Sequence, residues 1–331
     1  MQKLFETPVE VLIRKESHTD EQYGCHPNKR DIQTLLNYGI VNINKPSGPS
    51  SHQVSAYLQE ILHLQKSGHS GTLDPGVTGV LPIALGRATR IVQTLLPAGK
   101  EYVALMHLHH EVELERLRKT LDSFTGQITQ LPPIKSAVKR QERKRNVYYI
   151  DVLEIDGQDV LYSVGCQAGT YIRKLCHDMG VRLGVGAHMA ELIRTKAGPF
   201  DESSMVTLDD LRDAYHYYKE EGKEKFLRQC VFPVEERIPH MAKVWIFDTT
   251  VEPICHGTDL MVPGISKMHG EIRKGQNVAI MTLKDELVAL GTAQLDGREM
   301  LAEKGLAVRT EKVFMEPGTY PRLKKESQTP Q

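Results

Sequence analysis

The sequence predicts an α+β unit followed by a small β barrel, on two observations. Strand and helix patterns between residues 39 and 240 follow one another without a regular βαβ rhythm, which argues against a doubly wound parallel sheet. From Met241 to Met315 the texture changes to short apolar runs separated by glycine, over residues 243–247, 276–281 and 286–291, the pattern of closely spaced strands in a barrel or sandwich. A chain of 331 residues is long enough for two such units, each with its own core.

Taken in order, residues 1–38 are charged and irregular and read as a solvated arm that orders only by docking elsewhere. Ile40, Val41 and Ile43 then form a strand that the turn residues 45–51 break. Ser50 with Gln53 three residues on is a capping box, and Val54, Leu58, Ile61 and Leu62 continue it at helical spacing. Residues 91–96 read as an apolar helix start, and 100–105 as a strand leaving the Pro97-Ala98-Gly99 turn. Val160, Tyr162, Val164, Cys166 and Ala168 alternate at period two, a half-buried strand. Ile172, Leu175, Cys176 and Met179 recur at helical spacing, with Gly180 read as the stop. Residues 200–240 read as a helical connector that contains a second cap-like start, Thr207-Leu208-Asp209-Asp210. The boundaries expected are therefore 1–38 arm, 39–240 α+β domain with connector, 241–315 barrel and 316–331 frayed tail.

Lysine plus arginine equals aspartate plus glutamate, 42 each, so any nucleic-acid contact must come from local patches and not from a global positive field. Five cysteines with no CxxC pair argue against a disulfide framework. Three Cys-His dipeptides lack the two-to-four-residue ligand spacing of structural zinc, so no metal is expected. The opening residues have no signal-peptide core and no run is long enough to span a membrane, which makes a cytoplasmic protein the expectation.

The most informative segment is Gly68-His69-Ser70-Gly71-Thr72-Leu73-Asp74-Pro75-Gly76-Val77-Thr78-Gly79, one carboxylate on a turn-rich loop between apolar residues. Glycine and proline around Asp74 suit a carboxylate presented rigidly into a cleft, although Asp-Pro-Gly is also ordinary turn chemistry.

Together with Lys45-Pro46-Ser47-Gly48-Pro49-Ser50-Ser51, Lys100-Glu101-Tyr102 and Gly169-Thr170-Tyr171-Ile172-Arg173-Lys174-Leu175, in this order and separation, the segment resembles the pseudouridine synthases of the tRNA-modifying and dyskerin group. Residues 186–189 and 194–200 look most like the archaeal dyskerin branch, which works in box H/ACA guide-RNA particles. The resemblance spans roughly residues 38 to 315. It implies an α+β catalytic domain with a central mixed or antiparallel sheet and a carboxyl-terminal PUA domain that binds RNA. Ser70 departs from the glycine of many relatives, and Gly275-Gln276 from the more usual Gly-Asp.

The chemistry that the resemblance implies fits the residues. Uridine isomerisation breaks a glycosidic C–N bond and joins C5 to the sugar with no redox change, so no cofactor is required. A carboxylate can act as nucleophile or stabilise charge at the sugar, and one carboxylate on the loop favours an isomerase over a two-carboxylate hydrolase. By the resemblance Asp74 attacks inside a water-excluding pocket, and Arg173 keeps it ionised, a guanidinium neighbour being worth about 1–3 pKa units. Tyr102 stacks on the flipped base and takes the C5 proton, stacking being worth about 1–3 kcal/mol. His69 helps to displace the base, Tyr171 and Leu192 line its pocket, and Lys45 supports the loop. Residues 135–149 hold six basic residues against one acidic, and Lys139, Arg140, Arg143, Lys144 and Arg145 form the expected RNA-contacting loop.

The reading is thus an RNA pseudouridine synthase acting on rRNA with a guide RNA. The expected partners are two small accessory proteins and the kink-turn-binding ribosomal protein. Its rivals are a guide-independent enzyme acting on the TΨC loop of tRNA, a non-catalytic RNA-binding scaffold, and a nucleoside hydrolase.

Overall fold

A computed structural model describes residues 10–132 and 141–321. They fall into two compact units, the first within residues 40–231 and the second made of the described residues before 40 together with those after 231.

In the first unit the strands Gly39–Lys45, Thr78–Leu85, Ala187–Ala197, Lys100–Leu108, Asp159–Cys166, Arg143–Asp156 and Gly126–Gln130 follow one another as hydrogen-bonded neighbours, with Ser67–His69 also on Thr78–Leu85 and Phe200–Asp201 on Ala187–Ala197. Most pairs are antiparallel, but Thr78 and Gly79 run parallel to Ile193 and Arg194. The sheet is therefore mixed, as the resemblance implies. Helices Leu114–Asp122 and Ile172–Leu183 bury Leu117, Leu121, Leu175, Cys176 and Met179 against Ala104, Met106, Tyr162 and Val164 of the sheet, apolar burial at about 25 cal/mol per Å² being the main favourable contribution.

Helix Ser51–Leu62 starts with the capping box expected, Ser50 accepting from the Gln53 amide while the Gln53 side chain accepts from the Ser50 amide. Thr207 caps helix Leu208–Glu221 in the same way with Asp210. The helix start expected at residues 91–96 is the short helix Val92–Leu95, preceded by a 3-10 helix over residues 86–91. One local reading changes. Gly180 does not stop its helix, which continues to Leu183 and ends on left-handed Gly184 (φ +70°). A Cβ on Gly180 would lie 2.2 Å from the Ala187 amide nitrogen, so this glycine permits a close approach of helix to strand, and close approach and helix termination leave the same mark in a sequence.

In the second unit a seven-stranded sheet has the order Val11–Ile13, Ile265–His269, Ala242–Ile246, Asn277–Met281, Leu287–Ala293, Leu306–Val313 and Leu260–Met261. It curls round a core that includes Val244, Ile246, Val278, Ile280, Val288 and Val308. The described part of the arm belongs to this unit. Val11–Ile13 pairs with Lys267–His269, Thr19 donates to Asp248, and the Lys284 ammonium donates to the Tyr23 and Asp20 carbonyls. Arg30 forms a buried two-pronged ion pair with Glu235 at 2.8 and 2.9 Å. Residues 316–321 are not frayed either, because Tyr320 is buried and donates to Glu286 at 2.7 Å, and Glu286 also accepts from the Cys25 amide. Charges whose partners lie some 200 residues away look solvated to any local reading of composition. All five cysteines are free thiols, and no helix among the described residues is long and apolar enough to cross a membrane.

Candidate active site

Asp74 stands on the loop between strands Ser67–His69 and Thr78–Leu85, and three tethers shape that loop. The ammonium of Lys45, itself fully buried, donates to the carbonyls of Pro46 (2.8 Å), Pro75 (2.9 Å) and Val77 (2.8 Å). Ser51 exchanges hydrogen bonds with the Leu73 backbone, accepting from its amide at 2.8 Å and donating to its carbonyl at 3.2 Å. The Gly48 amide donates to Pro75, and the Val77 amide closes a turn onto the Asp74 carbonyl. Leu73 and Val77 on either side of Asp74 are buried in the same apolar cluster as Tyr102, so the carboxylate is the outward point of an anchored loop. Burial pushes the Lys45 ammonium pKa down, while the facing Asp74 carboxylate opposes that shift.

The Asp74 carboxylate forms an ion pair with the Arg173 guanidinium. Arg173 lies in the first turn of helix Ile172–Leu183, where the macrodipole disfavours a cation unless an anion compensates it, and Asp74 is that anion. The enclosure expected around the pair differs, since the Asp74 and Arg173 side chains are 57% and 59% exposed. A pair so exposed contributes about 0–1 kcal/mol to stability, so its geometry matters to chemistry more than to folding.

Tyr102, on strand Lys100–Leu108, is buried and faces Asp74 closely enough to feel its charge. Burial raises its phenol pKa, and the neighbouring Arg194 guanidinium works in the opposite direction. Leu192 pairs across the sheet with Ala104 and is half-buried against the cluster that holds Tyr102, Leu73 and Val77. His69 is half-buried with its ring edge-on to His52, centroids 4.8 Å apart, and its pKa is lowered by burial first and then by His52 and Arg194. Its Nδ1 is buried with no hydrogen-bond partner among the described residues.

Tyr171 is the residue that caps the Arg173 helix, and the buried Gln130 amide clamps its backbone from both sides, accepting from its N–H at 3.0 Å and donating to its carbonyl at 3.1 Å. Of the five basic residues expected to contact RNA, Lys139 and Arg140 lie outside the described residues. Arg143, Lys144 and Arg145 are in a strand and not in a loop, because they pair with Gln130, Thr129 and Ile128. Arg145 lies against Gly169, where a Cβ would be 3.2 Å from its guanidinium, so the basic strand reaches the turn that leads to Tyr171.

Arg194, Lys100 and Gln130 were not among the residues singled out from sequence. Arg194 and Lys100 are buried cations bonded to backbone carbonyls, Arg194 to Val80 (2.7 Å) and Gly71 (3.3 Å), Lys100 to Ala98 (2.7 Å), Leu95 and Leu96. Arg194 carried one usable signal, a position two residues from Leu192 on a period-two strand and so on the same face.

Comparison with known proteins agrees with this geometry. Four family descriptions match in succession: a DKCLD (NUC011) domain at residues 2–55, the TruB family pseudouridylate synthase N-terminal domain at 59–172, the tRNA pseudouridylate synthase B C-terminal domain at 173–238, and a PUA domain at 242–314. A protein of Methanopyrus kandleri named "Probable tRNA pseudouridine synthase B" is 56% identical over 96% of this chain and 94% of its own. A namesake from Pyrococcus furiosus is 55% identical over 95% and 93%. Among solved structures, a chain of a Cbf5-Nop10-Gar1 complex superposes with a TM-score of 0.89 at 54% identity, covering 96% of this chain and 98% of that one. A chain of an H/ACA RNP bound to a substrate RNA containing 2'-deoxyuridine matches with a TM-score of 0.89 at 52% identity, covering 96% and 98%. With an anchored Asp74 paired to Arg173 beside a buried Tyr102, and relatives matched along nearly their whole length, the chain belongs to the TruB family of pseudouridylate synthases.

Proposed function

We propose that this chain isomerises uridine in RNA to pseudouridine as the catalytic subunit of a guide-RNA particle. Asp74 is the group that attacks the nucleoside, Arg173 keeps its carboxylate ionised, and Tyr102 stacks on the flipped base and receives the C5 proton. His69 assists base displacement, Tyr171 and Leu192 line the base pocket, and Lys45 holds the loop. The observation that carries the reading is the Asp74–Arg173 pair at the outward point of a loop braced from beneath by Lys45. Half-exposed in the free protein, the pair loses its water when a nucleotide covers it, and the electrostatic interaction then strengthens. Residues 39–240 carry the reaction, and residues 241–315 grip RNA, with Arg143, Lys144 and Arg145, and Lys139 and Arg140 beyond the described residues, on the substrate strand. The guided role is supported by relatives solved with Nop10 and Gar1 and with substrate RNA. The partners are then counterparts of those two small proteins, a kink-turn-binding ribosomal protein, guide RNA and rRNA, in the cytoplasm.

A second reading, guide-independent action on the TΨC loop of tRNA, is favoured by the names of the curated relatives. Tritium release from RNA labelled at uridine C5 separates the two. Release from rRNA fragments only with guide and partners is expected. Release from tRNA transcripts by the protein alone gives the second reading, and no release from either RNA sinks both in favour of a scaffold.

A further inference from the structure

Arg194 is 1% exposed; it donates to two carbonyls, those of Val80 and Gly71, and it stands directly opposite Tyr102 across the sheet. A guanidinium removed from water ordinarily sits against a carboxylate, because burying an unpaired charge is strongly destabilising. Here the carbonyls of residues on either side of Asp74 take that place, so Arg194 bridges both ends of the Asp74 loop. Two further buried cations, Lys45 and Lys100, lie close enough for Arg194 to depress their proton affinity. The ground behind the loop is therefore positive.

The backbone is shaped to this contact. A bulge between Glu101 and Tyr102 sets Tyr102 directly opposite Arg194 and leaves Thr195 over, and bulges re-aim side chains near sites. Gly79 has φ +99°, and a Cβ there would lie 2.3 Å from the Arg194 carbonyl oxygen, so only glycine lets the loop strand run this close.

We propose that Arg194 is a positioning residue for the isomerisation, one that holds the Tyr102 oxygen as a hydrogen-bond acceptor and ties it to the loop that carries Asp74. The reasoning is one of donor inventory. Guanidinium only donates, so the phenol oxygen must accept from it, and the phenol's own proton has to point away from Arg194. The same contact favours the phenolate over the phenol. When C5 of the rejoined base gives up its hydrogen, the proton passes to the phenolate oxygen, the C5–H electron pair closes the C5–C6 double bond, the C6–N1 π pair moves onto N1, which takes a proton from water, and the phenol returns its proton to water. This inference rests on the role given to Tyr102 in the proposed function.

The test is single-turnover tritium release against pH, using whichever complete assembly supports release, for wild type, Arg194→Lys, Arg194→Met, Tyr102→Phe and the Arg194→Met/Tyr102→Phe double variant. Arg194→Met is expected to slow release about 10-fold to 100-fold, part of the usual contribution of general acid–base catalysis, and to move the alkaline limb of the profile upward with RNA affinity unchanged. Arg194→Lys, which keeps charge without the planar fork, should recover part of the rate. In the Tyr102→Phe background Arg194→Met should cost nothing more. An unshifted profile, or the same loss with and without Tyr102, overturns the proposal and leaves Arg194 a structural residue. Because Arg194→Met removes a buried charge and can impair folding, a second measurement needs no activity. It is the 19F resonance of 3-fluorotyrosine placed at position 102, titrated in the wild-type and Arg194→Lys backgrounds. A lower midpoint with arginine is expected, and equal midpoints overturn the proposal. Full release by Tyr102→Phe would instead overturn the role of Tyr102 itself, and Asp74→Ala reports separately on the nucleophile.

Discussion

The carboxylate of Asp74 and the guanidinium of Arg173, 99 positions apart in the sequence, meet as an ion pair at the surface of the catalytic unit. One comes from a loop and the other from the first turn of a helix, and both keep more than half of their side-chain surface in water.

Asp74→Ala should lower tritium release by about 10⁴-fold or more, the scale seen when a nucleophile is removed. Its effect on unfolding free energy should stay within about 1 kcal/mol, as for other exposed pairs. RNA affinity measured by filter binding should hardly change. A loss of binding equal to the loss of rate would mean that Asp74 serves the RNA and not the reaction.

Arg173→Met should leave Asp74 in place without its counter-charge. The expected result is a large fall in turnover at constant RNA affinity, with Arg173→Lys intermediate because one ammonium cannot reproduce the planar fork. Equal activity of arginine and methionine at this position would remove the ion pair from the mechanism.

Lys45→Met takes away one ammonium and leaves the Pro46, Pro75 and Val77 carbonyls without their donor. A destabilisation of about 2–4 kcal/mol is expected from unsatisfied buried acceptors, read by urea unfolding, with hydrogen exchange at Val77 accelerated more than in the barrel unit. Uniform acceleration across both units would show that Lys45 does not act locally.

Gly180→Ala decides between two principles. Helix propensity favours alanine by roughly 0.5–1 kcal/mol, whereas the 2.2 Å approach of the Ala187 nitrogen forces a backbone shift costing about 1–3 kcal/mol or more. The second is larger, so the variant should unfold at lower denaturant, and a gain in stability would refute the close-packing role.

Lys100 gives a pH dependence. Burial foremost, and then Arg194, lowers its pKa from 10.5 to about 8. Between these values the unfolded chain binds more protons than the folded one, so the contribution of Lys100 to stability rises with pH through that window and is lost as pH falls through 8. The unfolding free energy of wild type relative to Lys100→Met should therefore climb between pH 8 and 10.5, by about 3 kcal/mol in all. A flat difference across that window would mean that Lys100 is not buried as a charged group.

How much of this was legible in the sequence depends on how local each cause is. The Ser50–Gln53 and Thr207–Asp210 caps lie within four residues, and both were read correctly. Asp74, Tyr102 and Arg173 were singled out through the order of their motifs, since no spacing states that residues 74 and 173 touch. Arg194 stayed hidden because its partners are carbonyls, which leave no trace in side-chain identities. Gly180 was misread because a glycine needed for close packing looks like a glycine that ends a helix. The docking of the arm was illegible for a further reason, namely that Arg30 finds Glu235 only after the whole catalytic unit has passed between them.

That last separation bears on how the chain is made. Residues 40–231 form one uninterrupted stretch, so their unit can complete itself while synthesis continues. The opposite holds for the sheet that joins Val11–Ile13 to Ile265–His269, and for the buried pair of Arg30 with Glu235. Its first strand emerges from the ribosome before any other part of that sheet exists, and must wait until residue 269 has followed. A strand translated before the whole catalytic unit finds its place only after that unit is complete.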